Sequence, residues 1–113
     1  MSKYDRPKGS VIEYNKLIRD KLPEIIKSFN RKPLTHVAED TEYAEKLKAK
    51  LLEEVNEFLE TDKEKELADI LEVIHAICDS KKITIEDIEK IRKERAEKRG
   101  AFKQKLILEK VEY

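Results

Sequence analysis

The chain has little of what most small folds lean on. Its 113 residues contain one cysteine, no tryptophan, two glycines and three prolines. A lone Cys78 excludes an internal disulfide and a zinc cluster built on cysteines. No apolar run is long enough to span a bilayer. The first residues, Met1-Ser2-Lys3-Tyr4-Asp5, lack the apolar stretch of a signal peptide, so a cytoplasmic protein is expected. There is no excess of either charge: 25 basic residues balance 25 acidic ones. General nucleic-acid binders usually carry a basic excess, so that class is disfavoured. A rival reading through the basic stretch from Lys98 to Lys110 predicts salt-dependent retention on DNA or RNA. Between Pro33 and Gly100 there is neither glycine nor proline to interrupt a helix.

What is present is charge and helical periodicity. Charged residues make up 44 % of the chain and hydrophobic ones 39 %, a balance suited to amphipathic helices with more apolar face than one small chain buries. A homodimer or higher oligomer is therefore expected. Residues 1–13 read as a polar tail and 14–113 as one helical domain. Pro23 sits where it suits the first turn of a short helix ending near Phe29. The fold class expected is all-α: an antiparallel helical bundle. A small β addition is expected from residues near 35 pairing with 102–111.

From Thr41 the helical pattern is strong. Asp40 or Thr41 is placed to cap it, and Ala44, Leu47, Leu51, Val55 and Phe58 form its stripe. A second apolar set comprises Leu67, Ile70, Leu71, Ile74, Ile77 and Cys78. On one continuous helix from Thr41 to Ser80 these arcs would lie about 110° apart, and no single surface would bury both. A break at Thr61 resolves the conflict, and Thr61-Asp62-Lys63-Glu64 matches a capping box that would start a new helix. A third long helix opens at Thr84, with Asp87 three residues on, and stops at Gly100.

That break organises four acids. Reflection about the Thr61–Asp62 bond puts Glu57 on Glu66 and Glu54 on Asp69. In a helical hairpin the four face one another at two levels about 4.5 Å apart. Glu54 lies about 20° from Leu47 on the helical wheel, and Glu66 projects between Val73 and Ile77, inside an apolar arc. Glu53, by contrast, lies opposite the apolar arc of its helix. Burying carboxylates costs several kcal/mol unless they are paired or hold a metal, on the order given by transfer data. Four converging oxygen ligands, Glu54, Glu57, Glu66 and Asp69, suit a hard divalent cation, Mg²⁺ or Mn²⁺. The competing explanation is a salt-bridge network through Lys46, Lys50, Lys65 and the cations of the third long helix. His36 and His75 have no second ligand at metal spacing and are expected to be structural or on the surface. Cys78 is expected in the core, as are Tyr14, Phe29, Tyr43 and Phe102, though an aromatic side chain can also stack on a base.

The stretch Glu53-Glu54-Val55-Asn56-Glu57 followed by Glu66-Leu67-Ala68-Asp69 resembles the metal motif of the all-α nucleoside triphosphate pyrophosphohydrolases, the MazG-like and phosphoribosyl-ATP pyrophosphohydrolase-like superfamily. Two further stretches, from Tyr14 to Ile26 and Lys98-Arg99-Gly100-Ala101-Phe102, look like its house-cleaning branch, which acts on noncanonical nucleotides. The resemblance covers nearly all of Tyr14 to Leu108, although the stretch between Glu57 and Glu66 is shorter than in many members. It implies Mg²⁺-dependent hydrolysis of a nucleoside triphosphate to a monophosphate and pyrophosphate by an oligomer built on a dimer. By motif position Glu54, Glu57, Glu66 and Asp69 become the metal ligands, and Glu57 or Glu53 the base. Arg19 and Lys21, just before the helix that Pro23 starts, are turned by the resemblance toward the substrate's phosphates. Arg95 continues the stripe of Ile88 and Ile91, with Lys98 and Arg99 beside it, and a phosphate contact is expected there too. Two alternatives stay open: a non-catalytic helical dimeric interaction module, and a same-fold hydrolase of phosphoribosyl-ATP.

Overall fold

A computed structural model describes residues 7–113. The part of the polar tail expected over residues 1–6 lies outside the described residues. Among the described residues the architecture is four helices: α1 (Leu22–Ser28), α2 (Asp40–Thr61), α3 (Glu64–Ser80) and α4 (Ile85–Arg99). Pro23 lies in the first turn of α1, where its missing N–H costs nothing. The all-α class holds, and α2 and α3 are the one pair of helices that pack closely.

The break at Thr61 falls where the two apolar arcs require it. Asp62 takes the left-handed conformation (φ 55°), which a short polar side chain tolerates, and its N–H donates to the Phe58 carbonyl at 2.7 Å. The hairpin turn is thus two residues, Asp62 and Lys63. The expected capping box at Thr61 does not form. With Asp62 left-handed, the extended residue that opens α3 is Lys63, which caps nothing with its side chain, and Thr61 Oγ1 accepts from the Lys63 N–H at 3.4 Å instead. Likewise Glu39, without a side-chain cap, precedes α2, while Asp40 lies in its first turn. The box at Thr84 does form: Asp87 N–H donates to Thr84 Oγ1 and Thr84 N–H to Asp87 Oδ2, both at 3.1 Å. Gly100 ends α4 at φ 84°, a conformation that side chains with a Cβ rarely adopt.

The β addition is not there: no strand occurs among the described residues. Leu34 and Val37 are exposed, as are Leu106, Ile107 and Leu108, and no backbone hydrogen bond joins the two segments. The two would have had to pair without further strands, and an isolated two-stranded ribbon is marginal in water.

The core is small. Among the described residues the buried side chains are Leu47, Val73 and Cys78, joined by Glu54 and Glu66. Cys78 sits in the core as its arc requires. Phe102, Tyr14 and Phe29 do not: all are exposed, because the segments that carry them lie outside the α2–α3 contact. Leu52, Leu59, Leu67 and Leu71 on the hairpin also face solvent. The radius of gyration is 19.3 Å, against about 13 Å for a compact domain of this length. No helix among the described residues is long and apolar enough to cross a membrane.

Candidate metal centre

Two of the five buried side chains are carboxylates, and they meet between α2 and α3. Glu54 is 7 % exposed and Glu66 is 4 % exposed. The hairpin places them there because Glu54 borders the stripe of Leu47, and Glu66 projects inside the arc that ends in Val73 and Cys78. Oxygens of Glu54, Glu66 and Asp69 lie within 4.8 Å of one another, as do oxygens of Glu53, Glu54 and Glu57. Glu54 belongs to both groups and joins them. The hairpin therefore gathers the acids of both arms despite its short turn.

The electrostatics are those of crowded anions. Burial pushes the Glu54 carboxyl above the usual carboxylate range, and the neighbouring Glu57 and Asp69 add to it, against the pull of Lys50. Burial also raises Glu66, with Glu57 and Asp69 adding to it and Lys65 opposing. Glu54 Oε2 is buried with no hydrogen-bond partner. An ionised oxygen in that position is costly unless something positive reaches it.

The lysines of the salt-bridge alternative do not satisfy that oxygen. Lys50 lies 3.5 Å from the other oxygen, Oε1, and 3.3 Å from Glu53. Lys65 approaches Glu66 only to 3.8 Å. Lys46 is turned away and donates to the Asn15 carbonyl. The donor set is all carboxylate, with an orphaned oxygen at its centre, and that is a fit for a hard divalent cation.

The segment 14–20 crosses the cluster. Lys16 Nζ meets Glu53 at 2.8 Å, and the Arg19 guanidinium meets Asp69 Oδ1 at 2.8 Å. Asn15 turns the chain through a positive φ of 48°, which asparagine tolerates better than most residues. Burial alone would push Glu53 up, but the Lys16 hydrogen bond and the charge of Lys50 outweigh it and hold Glu53 below the usual range. Lys16 is correspondingly raised by its hydrogen bond to Glu53. The Arg19–Asp69 pair is open to water, with side chains 62 % and 35 % exposed. Pairs of that kind contribute about 0.2–1 kcal/mol, so this one opens easily.

Sequence reasoning missed Lys16. It sits 37 residues from Glu53 in sequence, and no local spacing predicts that meeting. Its only signal is its position three residues before Arg19 in an irregular segment. Glu53 is half-buried rather than on a free outer face, because this segment lies over it. Of the other cations, Lys21, Arg95, Lys98 and Arg99 are exposed and make no ion pair among the described residues. The structure does not bring Arg95, Lys98 and Arg99 to the acids, since α4 packs closely on neither helix of the hairpin. His36 pairs with Glu42 at 2.9 Å in the first turn of α2, and His75 is exposed; neither joins the cluster.

No family model matches the chain, and neither a curated protein nor a solved structure matches it. The class that the fold and site define is an all-α helical hairpin with an acidic cluster able to hold a metal ion.

Proposed function

We propose that this chain is a Mg²⁺- or Mn²⁺-dependent nucleoside triphosphate pyrophosphohydrolase, with noncanonical nucleotides among its substrates. The observation that carries the proposal is Glu54 Oε2, buried and unpartnered where the two groups of acids join. The motif resemblance supplies the reaction class, and the cations of segment 14–20 beside the acids agree with a polyanionic substrate.

Glu54, Glu57, Glu66 and Asp69 would hold the cation. When bound, it neutralises phosphate charge and makes water more acidic. A water oxygen forms a bond to the α-phosphorus, the α–β anhydride bond breaks, and its electron pair leaves with pyrophosphate. Glu57 is the better acceptor of the water's proton, because the oxygens of Glu53 are already taken by Lys16 and Lys50. Arg19, from the segment that lies over the acids, and Lys21, at the start of α1, would grip the phosphates.

The proposal includes a homodimer or higher oligomer. Exposed Leu52, Leu59, Leu67 and Leu71 and the extended shape support it. Arg95, Lys98 and Arg99 stand on a helix that does not pack on its own hairpin, so in this proposal they serve the cluster of a neighbouring chain. Paired Leu52→Glu and Leu71→Glu substitutions are expected to lower the mass in sedimentation from oligomer to monomer. An unchanged mass would place the contact elsewhere.

The decisive experiment is pyrophosphate release from standard and modified nucleoside triphosphates and phosphoribosyl-ATP, with Mg²⁺, Mn²⁺ or EDTA. Metal-dependent release of pyrophosphate and monophosphate is expected. Turnover of phosphoribosyl-ATP alone selects the same-fold alternative. No turnover, together with no metal effect on stability, leaves the interaction-module reading.

A further inference from the structure

Segment 14–20 does more than lie near the acids: it neutralises two of them. Arg19 takes Oδ1 of Asp69, and Asp69 and Glu66 are the two residues whose oxygens converge with the buried Glu54 from α3, where Glu54 Oε2 has no partner. Lys16 takes Glu53, which converges with Glu54 from the other side. A third tether, Lys46 to the Asn15 carbonyl, anchors the segment to α2. A small cavity of about 60 Å³ lies between Asn15 to Leu17 and Lys46, Ala49 and Lys50, so the segment does not pack tightly on α2 there.

We propose that this segment is an exchangeable counter-ion strap. In the metal-free protein Arg19 and Lys16 stand in for part of the missing positive charge. When a divalent cation is held by the acids, Arg19 gives up Asp69 and its guanidinium is freed for a substrate phosphate. The inference rests on the metal-dependent reading above and goes beyond it, since it makes metal binding and phosphate binding depend on one side chain.

The geometry favours the exchange, since Arg19 already occupies Oδ1 of a carboxylate that the cation would use. Arg19 and the cation are both positive and draw on the same carboxylate. Holding both at Asp69 sets like charges against each other. The Arg19–Asp69 pair is exposed and easily opened, whereas Glu54 and Glu66 are fixed by burial. Asp69 stands on α3 and is the less exposed of the pair, 35 % against 62 % for Arg19, so the mobile member is the arginine. Its planar donor face, once released, suits two oxygens of a phosphate better than a lysine does.

The test is calorimetric titration of the full chain with Mn²⁺ alone, then with inorganic tripolyphosphate in saturating Mn²⁺. Arg19→Gln is expected to bind Mn²⁺ roughly ten-fold more tightly than the natural chain, because one competing charge is gone. The same variant is expected to bind tripolyphosphate roughly ten-fold more weakly, because a charge-assisted contact is lost. Arg19→Lys, which keeps the charge, should return Mn²⁺ affinity to the natural value and leave tripolyphosphate binding weakened. Arg19 is exposed, and an unchanged helical circular dichroism spectrum for both variants confirms that the fold is kept. Mn²⁺ affinity that is equal or weaker in Arg19→Gln overturns the strap and leaves the metal site standing. No Mn²⁺ binding to the natural chain overturns both.

Discussion

Glu54→Gln is expected to raise the melting temperature of the metal-free protein while removing nearly all turnover. The two effects have one origin. Glu54 is buried between α2 and α3, shared by both groups of acids, and leaves Oε2 without a partner. Its carboxyl is pushed up by burial and by Glu57, so at neutral pH its ionised form opposes folding. Glutamine keeps the shape and removes the charge. The melting temperature is expected to rise because the charge that burial and Glu57 disfavour is gone. Turnover should fall by at least about a hundred-fold, since loss even of an outer partner to a ligand costs 10–100-fold. A thermal melt in EDTA and a pyrophosphate-release assay on the same preparation check both signs. A variant that is less stable and still active would show that Glu54 serves packing alone. Trading stability for a charged site in this way is common where function needs a strained group.

Mg²⁺ is expected to raise the melting temperature strongly at pH 7–8 and hardly at pH 4. Glu54 and Glu66 have folded values above those of the unfolded chain, whose glutamates titrate near about 4.3. Between that value and the raised folded ones the native state binds more protons than the unfolded state. The stability these two groups contribute is thus full below about pH 4.3 and is lost as pH rises through their folded values. Glu53 runs the other way: its folded value is lowered, so its contribution is present above about pH 4.3 and is lost as pH falls through the folded value. Above about pH 4.3 Glu54 and Glu66 therefore draw stability from the metal-free protein as they ionise, while Glu53 contributes its own. A cation that needs the ionised carboxylates cancels that loss and releases protons on binding. At a hundred times its dissociation constant it adds about 2.7 kcal/mol, or roughly 10 °C. Melts from pH 4 to 8, with and without Mg²⁺, measure the window. A Mg²⁺ effect that is absent at pH 7 would remove the metal site from consideration.

The hairpin was legible in the sequence because two periodic signals conflict on a single rod. The arcs around Leu47 and around Cys78 cannot share one helix face, so the chain turns directly after Thr61, at Asp62 and Lys63. The same reasoning gives the buried glutamates, since a charged residue that falls inside an apolar arc is carried into the interior with it. The Thr84 capping box and the stop at Gly100 were local too, each depending on residues within one helical turn. Where local chemistry had competition it misled: Thr61 resembles a helix cap, but a two-residue turn needs Asp62 left-handed and starts α3 after Lys63.

What the residues determined on their own, then, is the helical class, the turn and the set of acids that meet across it, all consequences of helical spacing. Only the tertiary structure decided how segment 14–20 lies on that set. Lys16 and Arg19 find Glu53 and Asp69 across 37 and 50 residues. Exposed charges meet by where the backbone carries them, and no periodicity encodes that path. The missing β pairing has a related reason. Leu34, Val37 and Leu106 to Leu108 have strand-like side chains, but a strand exists only when a second one is held beside it, and among the described residues nothing holds these two together.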